Sequence, residues 1–86
     1  MAGYHIAEIP RGKYGEISKI GEEFIELKDA VDQNNRIMAL LELSDLIGAI
    51  EGFVESEFGK TVTFDDLIKM KDATHKAFRE GKRKSE

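Results

Sequence analysis

The sequence has no cysteine, no tryptophan, a single proline and two histidines among 86 residues. Without cysteine there is no disulfide framework, no thiolate metal site and no cysteine nucleophile, which fits a reducing compartment. No stretch comes near the ~18 uncharged apolar residues of a membrane helix. The N-terminus, MAGYHIAEIPRGK, also lacks the apolar core of a signal peptide. A soluble, cytoplasmic protein with no membrane partner is therefore expected. A basic excess is missing too. Acids outnumber bases 17 to 13 and the net charge is −4, which argues against a nucleic-acid partner because phosphate contacts need a basic face. Only GKRK, at 81–84, forms a local basic patch.

With 35% charged and 41% hydrophobic residues, the composition is that of a globular helical chain. Its length predicts one small domain over 1–86, short of buried surface and open to help from a partner subunit or ligand. Pro10, Gly12 and Gly15 punctuate an irregular arm over about residues 1–14. A first helix is expected to start near Tyr14 to Glu16, with Ile17, Ile20, Phe24, Leu27 and Val31 recurring as its apolar face. The turn-like DQNN, 32–35, ends it. A second helix, about Arg36 to Phe58, is apolar around most of its circumference, so it should be the central and most buried element, with Gly59 as its stop. Thr63 followed by Asp66 resembles a capping box and opens a third helix to about Glu80, closed by Gly81. Its apolar face is Leu67, Met70, Thr74, Ala77 and Phe78. The fold class is all-α, a three-helix hairpin-like domain; an extended piece at Tyr4 to Ile9 is not expected to form a sheet. The end of the chain, 82–86, reads as a frayed basic tail.

The second helix carries two carboxylates, Glu42 and Asp45, inside the apolar run ALLELSDLIGAIEGF. At about 100° per residue, Ser44, Glu51 and Glu55 share a solvent stripe with Ile37 and Gly48. Glu42 and Asp45 fall instead in the sector of Met38, Leu46, Ala49 and Phe53. On the first helix Glu22 lies almost opposite the apolar face, whereas Glu23 sits on its border and Glu26 a little further round. Residues three apart on a helix have Cβ atoms about 5–6 Å apart, so each helix offers a carboxylate pair. Four carboxylates in a partly dry cleft repel one another and lose hydration, a conflict that a divalent cation resolves. Hard oxygen ligands suit Mg²⁺, with Mn²⁺ an alternative. A di-iron bundle would need Glu-x-x-His pairs, and His5 and His75 stand in neither motif. In so acidic a chain, a solvated face remains the competing reading of the first pair.

Taken together, IGEEFIELKDA and ALLELSDLIGAI resemble the paired E-E-x-x-E and E-x-x-D motifs of the MazG-like, all-α nucleoside triphosphate pyrophosphohydrolase superfamily. Here they are Glu22-Glu23-x-x-Glu26 and Glu42-x-x-Asp45. The likeness extends to KYGEISKI before them and to DDLIKMKDATHKAFREGKR after, and so covers most of the chain. It implies hydrolysis of a nucleoside triphosphate to the monophosphate and pyrophosphate with Mg²⁺, held by Glu23, Glu26, Glu42 and Asp45. It leaves Glu22 for a further metal or for orienting water; on general mechanistic grounds a spare carboxylate there could also accept the proton, in the catalytic role. It also implies assembly as a homodimer or homotetramer that packs helices around each site, in keeping with the small size.

The phosphates of such a substrate need cations. The candidates are Arg11 and Lys13 in the arm, Lys28 on the first helix, and Arg79, Lys82 and Arg83 at the end of the third, where they also complement the helix dipole. Tyr4, Tyr14 or Phe53 could stack on a base, although a small helical protein needs its aromatics for packing. His5 and His75 read as surface or satisfied residues. Gly48 and Gly52 suggest close approach of another helix. Two other functions compete: a nucleotide-binding or regulatory module with little turnover, and a helical interaction protein whose acids form a solvated face.

Overall fold

A computed structural model describes residues 5–81. They form three helices, α1 (Ile17–Asp32), α2 (Arg36–Phe58) and α3 (Phe64–Arg79), and no strand. No helix among the described residues is long and apolar enough to cross a membrane.

Local chemistry sets the boundaries. Gly15 has φ +92°, a left-handed conformation that glycine adopts without steric cost. It turns the arm into α1, which is why the helix starts at Ile17 and not at Tyr14 to Glu16. Between α1 and α2, Asn34 also takes a left-handed φ of 58°, and the Asn35 side chain accepts the Met38 N–H at 2.9 Å as N-cap. The capping box of α3 forms as the sequence indicates. Thr63 Oγ1 accepts the Asp66 N–H at 3.1 Å, and Asp66 Oδ2 accepts the Thr63 N–H at 3.0 Å. Gly81, at φ +73°, follows the end of α3.

The α1 and α2 helices fold back on one another through the short turn at 33–35, and the arm crosses their joint surface. The inward face of α1 is not the one its apolar periodicity predicts. Glu22, Glu23, Glu26, Asp29 and Ala30 are buried, whereas Ile17, Phe24 and Val31 are 65%, 56% and 60% exposed. The reason is visible in the partners. The arm brings backbone N–H groups and His5, and α1 itself brings Lys19, so most of the acid oxygens find donors inside, while Ile17, Phe24 and Val31 face outward and Ile20 and Leu27 stay half-buried. On α2 the expected inward sector holds in part: Met38, Glu42 and Ala49 are buried, together with Gly52 and Val54, whereas Leu46 and Phe53 are half-buried and Asp45 is exposed.

The third helix also departs from expectation. It touches α2 but not α1, and none of its residues is fully buried. Leu67, Thr74 and Ala77 are half-buried, but Met70 and Phe78 on the same predicted face are exposed. The hairpin is thus α1 and α2, with α3 reaching away from it. Buried apolar side chains within the described residues are few: Ala30, Met38, Ala49 and Val54.

Candidate metal centre

The three-residue spacing on each helix delivers its acids to one place. Glu23 and Glu26 from α1, and Glu42 and Asp45 from α2, each offer a carboxylate oxygen, and these four oxygens all lie within 4.8 Å of one another. They are the four residues selected by helical phase. Glu42 is the largest side chain to be fully buried, at 2% exposure, and Asp45 sits at the exposed mouth.

Among the same four side chains, Glu23 Oε1 and Glu42 Oε1 are buried with no hydrogen-bond partner. A buried carboxylate oxygen without a donor costs free energy, and a cation is the group that recovers it. The site's titration shows the same imbalance. Burial, followed by the carboxylate of Glu42, pushes Glu26 up to about 7. Burial also pushes Glu23 up, reinforced by Glu26 and Asp45 and opposed by Lys19.

Residues that the motifs do not contain complete the surroundings. Lys19 bridges Glu22 and Glu23, with Nζ at 3.2 Å and 3.1 Å from their oxygens. Glu22 also accepts the Gly12 N–H at 2.8 Å. Burial alone would raise Glu22, but Gly12 and Lys19 together hold it below the ordinary carboxylate range. This suits Glu22 to anchoring the arm more than to accepting a proton. A Cβ at Gly12 would lie 2.2 Å from the Ser18 carbonyl oxygen, so only glycine lets the arm come this close.

His5 reaches in from the arm. Its Nδ1 lies 2.8 Å from Asp29 Oδ2, and its Nε2 lies 3.1 Å from Glu42 Oε2 and 3.6 Å from Glu26 Oε1. Burial disfavours the imidazolium, but Asp29 and Glu42 outweigh it and raise the group above its usual value. Asp29 in turn accepts from the N–H groups of Ile6 and Ala7 and from Gln33 Nε2. Those donors and His5 override its burial and hold it down at about 2.

A cleft of about 610 Å³ opens beside the cluster, lined by His5, Arg11, Glu22 and Glu26 among others. Of the expected phosphate-binding cations, Arg11 lines this cleft. Lys13 is exposed on the neighbouring arm. Lys28 does not join the site: it is exposed, it pairs with Asp32 at 3.1 Å, and helical phase places it about 160° from Glu26. Arg79 is exposed on α3, which does not contact α1. Lys82, Arg83 and Tyr4 lie outside the described residues. Tyr14 packs its ring against Gly52, where a Cβ would come within 2.5 Å of it. The approach at Gly52 is thus by an aromatic ring and not by a second helix; at Gly48 nothing lies within 4 Å of the Cβ position. Phe53 is half-buried and His75 is exposed on α3.

Asp29 carried a signal in the sequence, since it continues the three-residue series of Glu23 and Glu26 by one more step. Lys19 stands four residues before Glu23 on the same face. His5 carried none, because an irregular arm has no periodicity to place it. Comparison with family models, with curated proteins and with solved structures gives no match to this chain.

Proposed function

We propose that this protein is a divalent-metal-dependent nucleoside triphosphate pyrophosphohydrolase of MazG-like type, releasing pyrophosphate and a nucleoside monophosphate. The observation that carries the reading is the convergence of Glu23, Glu26, Glu42 and Asp45, with buried oxygens of Glu23 and Glu42 lacking any partner. These are also the four positions that the motif resemblance marks as ligands. The donor set is all-oxygen and hard, which fits Mg²⁺ or Mn²⁺. Such an ion, when bound, supplies charge neutralisation of the phosphates and a lowered pKa for a coordinated water.

The chain's own part is positioning. The four acids fix the ion between the two helices, and Lys19 offsets the excess negative charge on Glu22 and Glu23. Arg11, on the wall of the cleft, meets the phosphates. Phosphoryl chemistry asks for little covalent participation by protein, so placement and charge carry most of the effect. The test is to incubate the protein with a panel of normal and modified (deoxy)nucleoside triphosphates plus Mg²⁺ or Mn²⁺, measuring pyrophosphate against orthophosphate. Pyrophosphate release with at least one nucleotide supports the enzyme. If none is released, while metal still raises the melting temperature, the binding-module reading takes over.

The active unit in this reading is a homodimer or homotetramer. Phe24 and Val31 on α1 and Leu40, Leu43 and Ile47 on α2 are all exposed, with Leu40 at 68%. A depression of about 350 Å³ between Val31 and Leu43 lies on that face. Val31, Leu40 and Leu43 meet in that depression, an exposed apolar patch of the kind that marks an interaction surface, and a second copy would give the chain the apolar core that the single hairpin lacks. Sedimentation of the wild type should report a dimer or larger, and Leu40→Lys with Ile47→Lys should yield the monomer. A wild-type monomer that melts cooperatively at low concentration would count against the shared assembly.

A further inference from the structure

We infer that His5 is a metal ligand, and that His5, Glu26 and Glu42 form a mixed nitrogen and oxygen position beside the all-carboxylate one, suited to a transition-series divalent ion such as Mn²⁺ or Zn²⁺. The inference rests on the metal-dependent reading above and adds a ligand that lies outside both acidic motifs.

Three observations carry it. One ligand atom each from His5, Glu26 and Glu42 lies within 4.8 Å of the others. Ligands held about 2.0–2.2 Å from one ion span at most about 4.4 Å, so small side-chain rotations close the set. Glu42, at 2% exposure, keeps Oε1 buried without a donor while its Oε2 faces His5 Nε2. Finally, the imidazole is held as a ligating histidine is usually held. Metal-bound histidines hand the second ring N–H to a carboxylate, which fixes the tautomer and aims the other nitrogen at the ion. Asp29 Oδ2 takes that role at 2.8 Å from Nδ1, and Asp29 is itself fixed by Ile6, Ala7 and Gln33.

The arrangement is more than a salt bridge to a passing histidine. The His5 side chain is 4% exposed, and its two nitrogens divide their tasks, one to the orienting carboxylate and one to the cluster. Imidazole nitrogen shifts preference away from Mg²⁺, which favours oxygen donors, toward ions later in the divalent series. Glu26 and Glu42 belong to both positions, so ion occupancy at one alters the charge felt at the other.

Pulsed EPR of the Mn²⁺-loaded wild-type protein tests this without reference to turnover. Imidazole ¹⁴N coupling to the bound ion is expected, and its loss in His5→Gln follows. Titration calorimetry should show Mn²⁺ and Zn²⁺ affinity falling on the order of 10–100-fold in Asp29→Asn, as orienting carboxylates do elsewhere, with Mg²⁺ affinity changed much less. Bound Mn²⁺ that shows no nitrogen coupling in the wild type overturns the inference and leaves the carboxylate centre standing. No binding of Mn²⁺, Zn²⁺ or Mg²⁺ to the wild type overturns both. The wild-type spectrum decides the matter even if a variant fails to fold.

Discussion

Glu42→Gln should abolish pyrophosphate release and, at the same time, raise the melting temperature of the metal-free protein. The loss should be at least about 100-fold, since removing even an orienting neighbour of a metal ligand costs 10–100-fold. The gain in stability follows from the surroundings. Glu42 is buried with one oxygen unpartnered, and Glu26 lies close enough for the two carboxylates to push its titration to about 7. A neutral amide of the same shape keeps an acceptor for His5 Nε2 and removes one of five buried acids from a cluster whose positively charged partners among the described residues are His5 and Lys19. The opposite changes in activity and stability, measured on one sample by a pyrophosphate assay and a thermal scan, are the signature of a site strained for function. A variant that loses activity and stability together would point to a structural role for Glu42.

The second large effect is on pH. Between about pH 4.5 and 8 the metal-free protein should become less stable as pH rises. Glu26, at about 7 when folded and near 4.5 when unfolded, holds a proton in the native state that the unfolded chain releases earlier. Its contribution is complete below pH 4.5 and lost as pH climbs toward 7. Glu23, also raised, has the same sign. His5 is raised above 6.5, so its contribution is present below that value and disappears as pH passes its folded one. Asp29 and Glu22 are lowered and work in the opposite sense, stabilising above about pH 4 and losing that support in acid. The optimum should therefore lie near pH 4.5–5, with a fall in Tm on the order of 5 °C or more by pH 8. Saturating Mg²⁺ should flatten or reverse the slope, because an ion at 100 times its Kd adds about 2.7 kcal/mol and binds the ionised acids best. Thermal scans across pH, with chelator and with Mg²⁺, measure both slopes. Parallel slopes in the two series would argue against an ion between these helices.

The helices were legible in the sequence wherever a local signal set them. Asn35, Thr63 with Asp66, and Gly81 act within one turn of chain, and the limits of α2 and α3 follow from them. The phase of α1 was not legible, although its periodicity is strong. Periodicity says that two faces differ, not which one turns inward, and here the arm and Lys19 make the acidic face the inner one. The place of α3 escaped for a related reason, since its apolar face names no partner. Glu42 and Asp45 were found because helical phase on α2 does not depend on long-range contacts, and Glu23 and Glu26 because their three-residue spacing at the border of the α1 apolar face repeats the same pattern. His5 depends on long-range contacts alone, lying 24 residues from Asp29 and 37 from Glu42.

That 24-residue separation gives Asp29 a further meaning. By collecting His5, Ile6 and Ala7, it closes a ring of chain that contains the arm and most of α1, and so acts as a non-covalent crosslink. Closing a loop of that length costs about 3 kcal/mol of chain entropy plus a constant, and the cost grows only about 0.6 kcal/mol for each doubling. The length of the ring is therefore a loose constraint, while its clasp is a strict one. Residues could be added between Ala7 and Gly12 at little entropic expense, but a residue with no acceptor oxygen in place of Asp29 would open the ring.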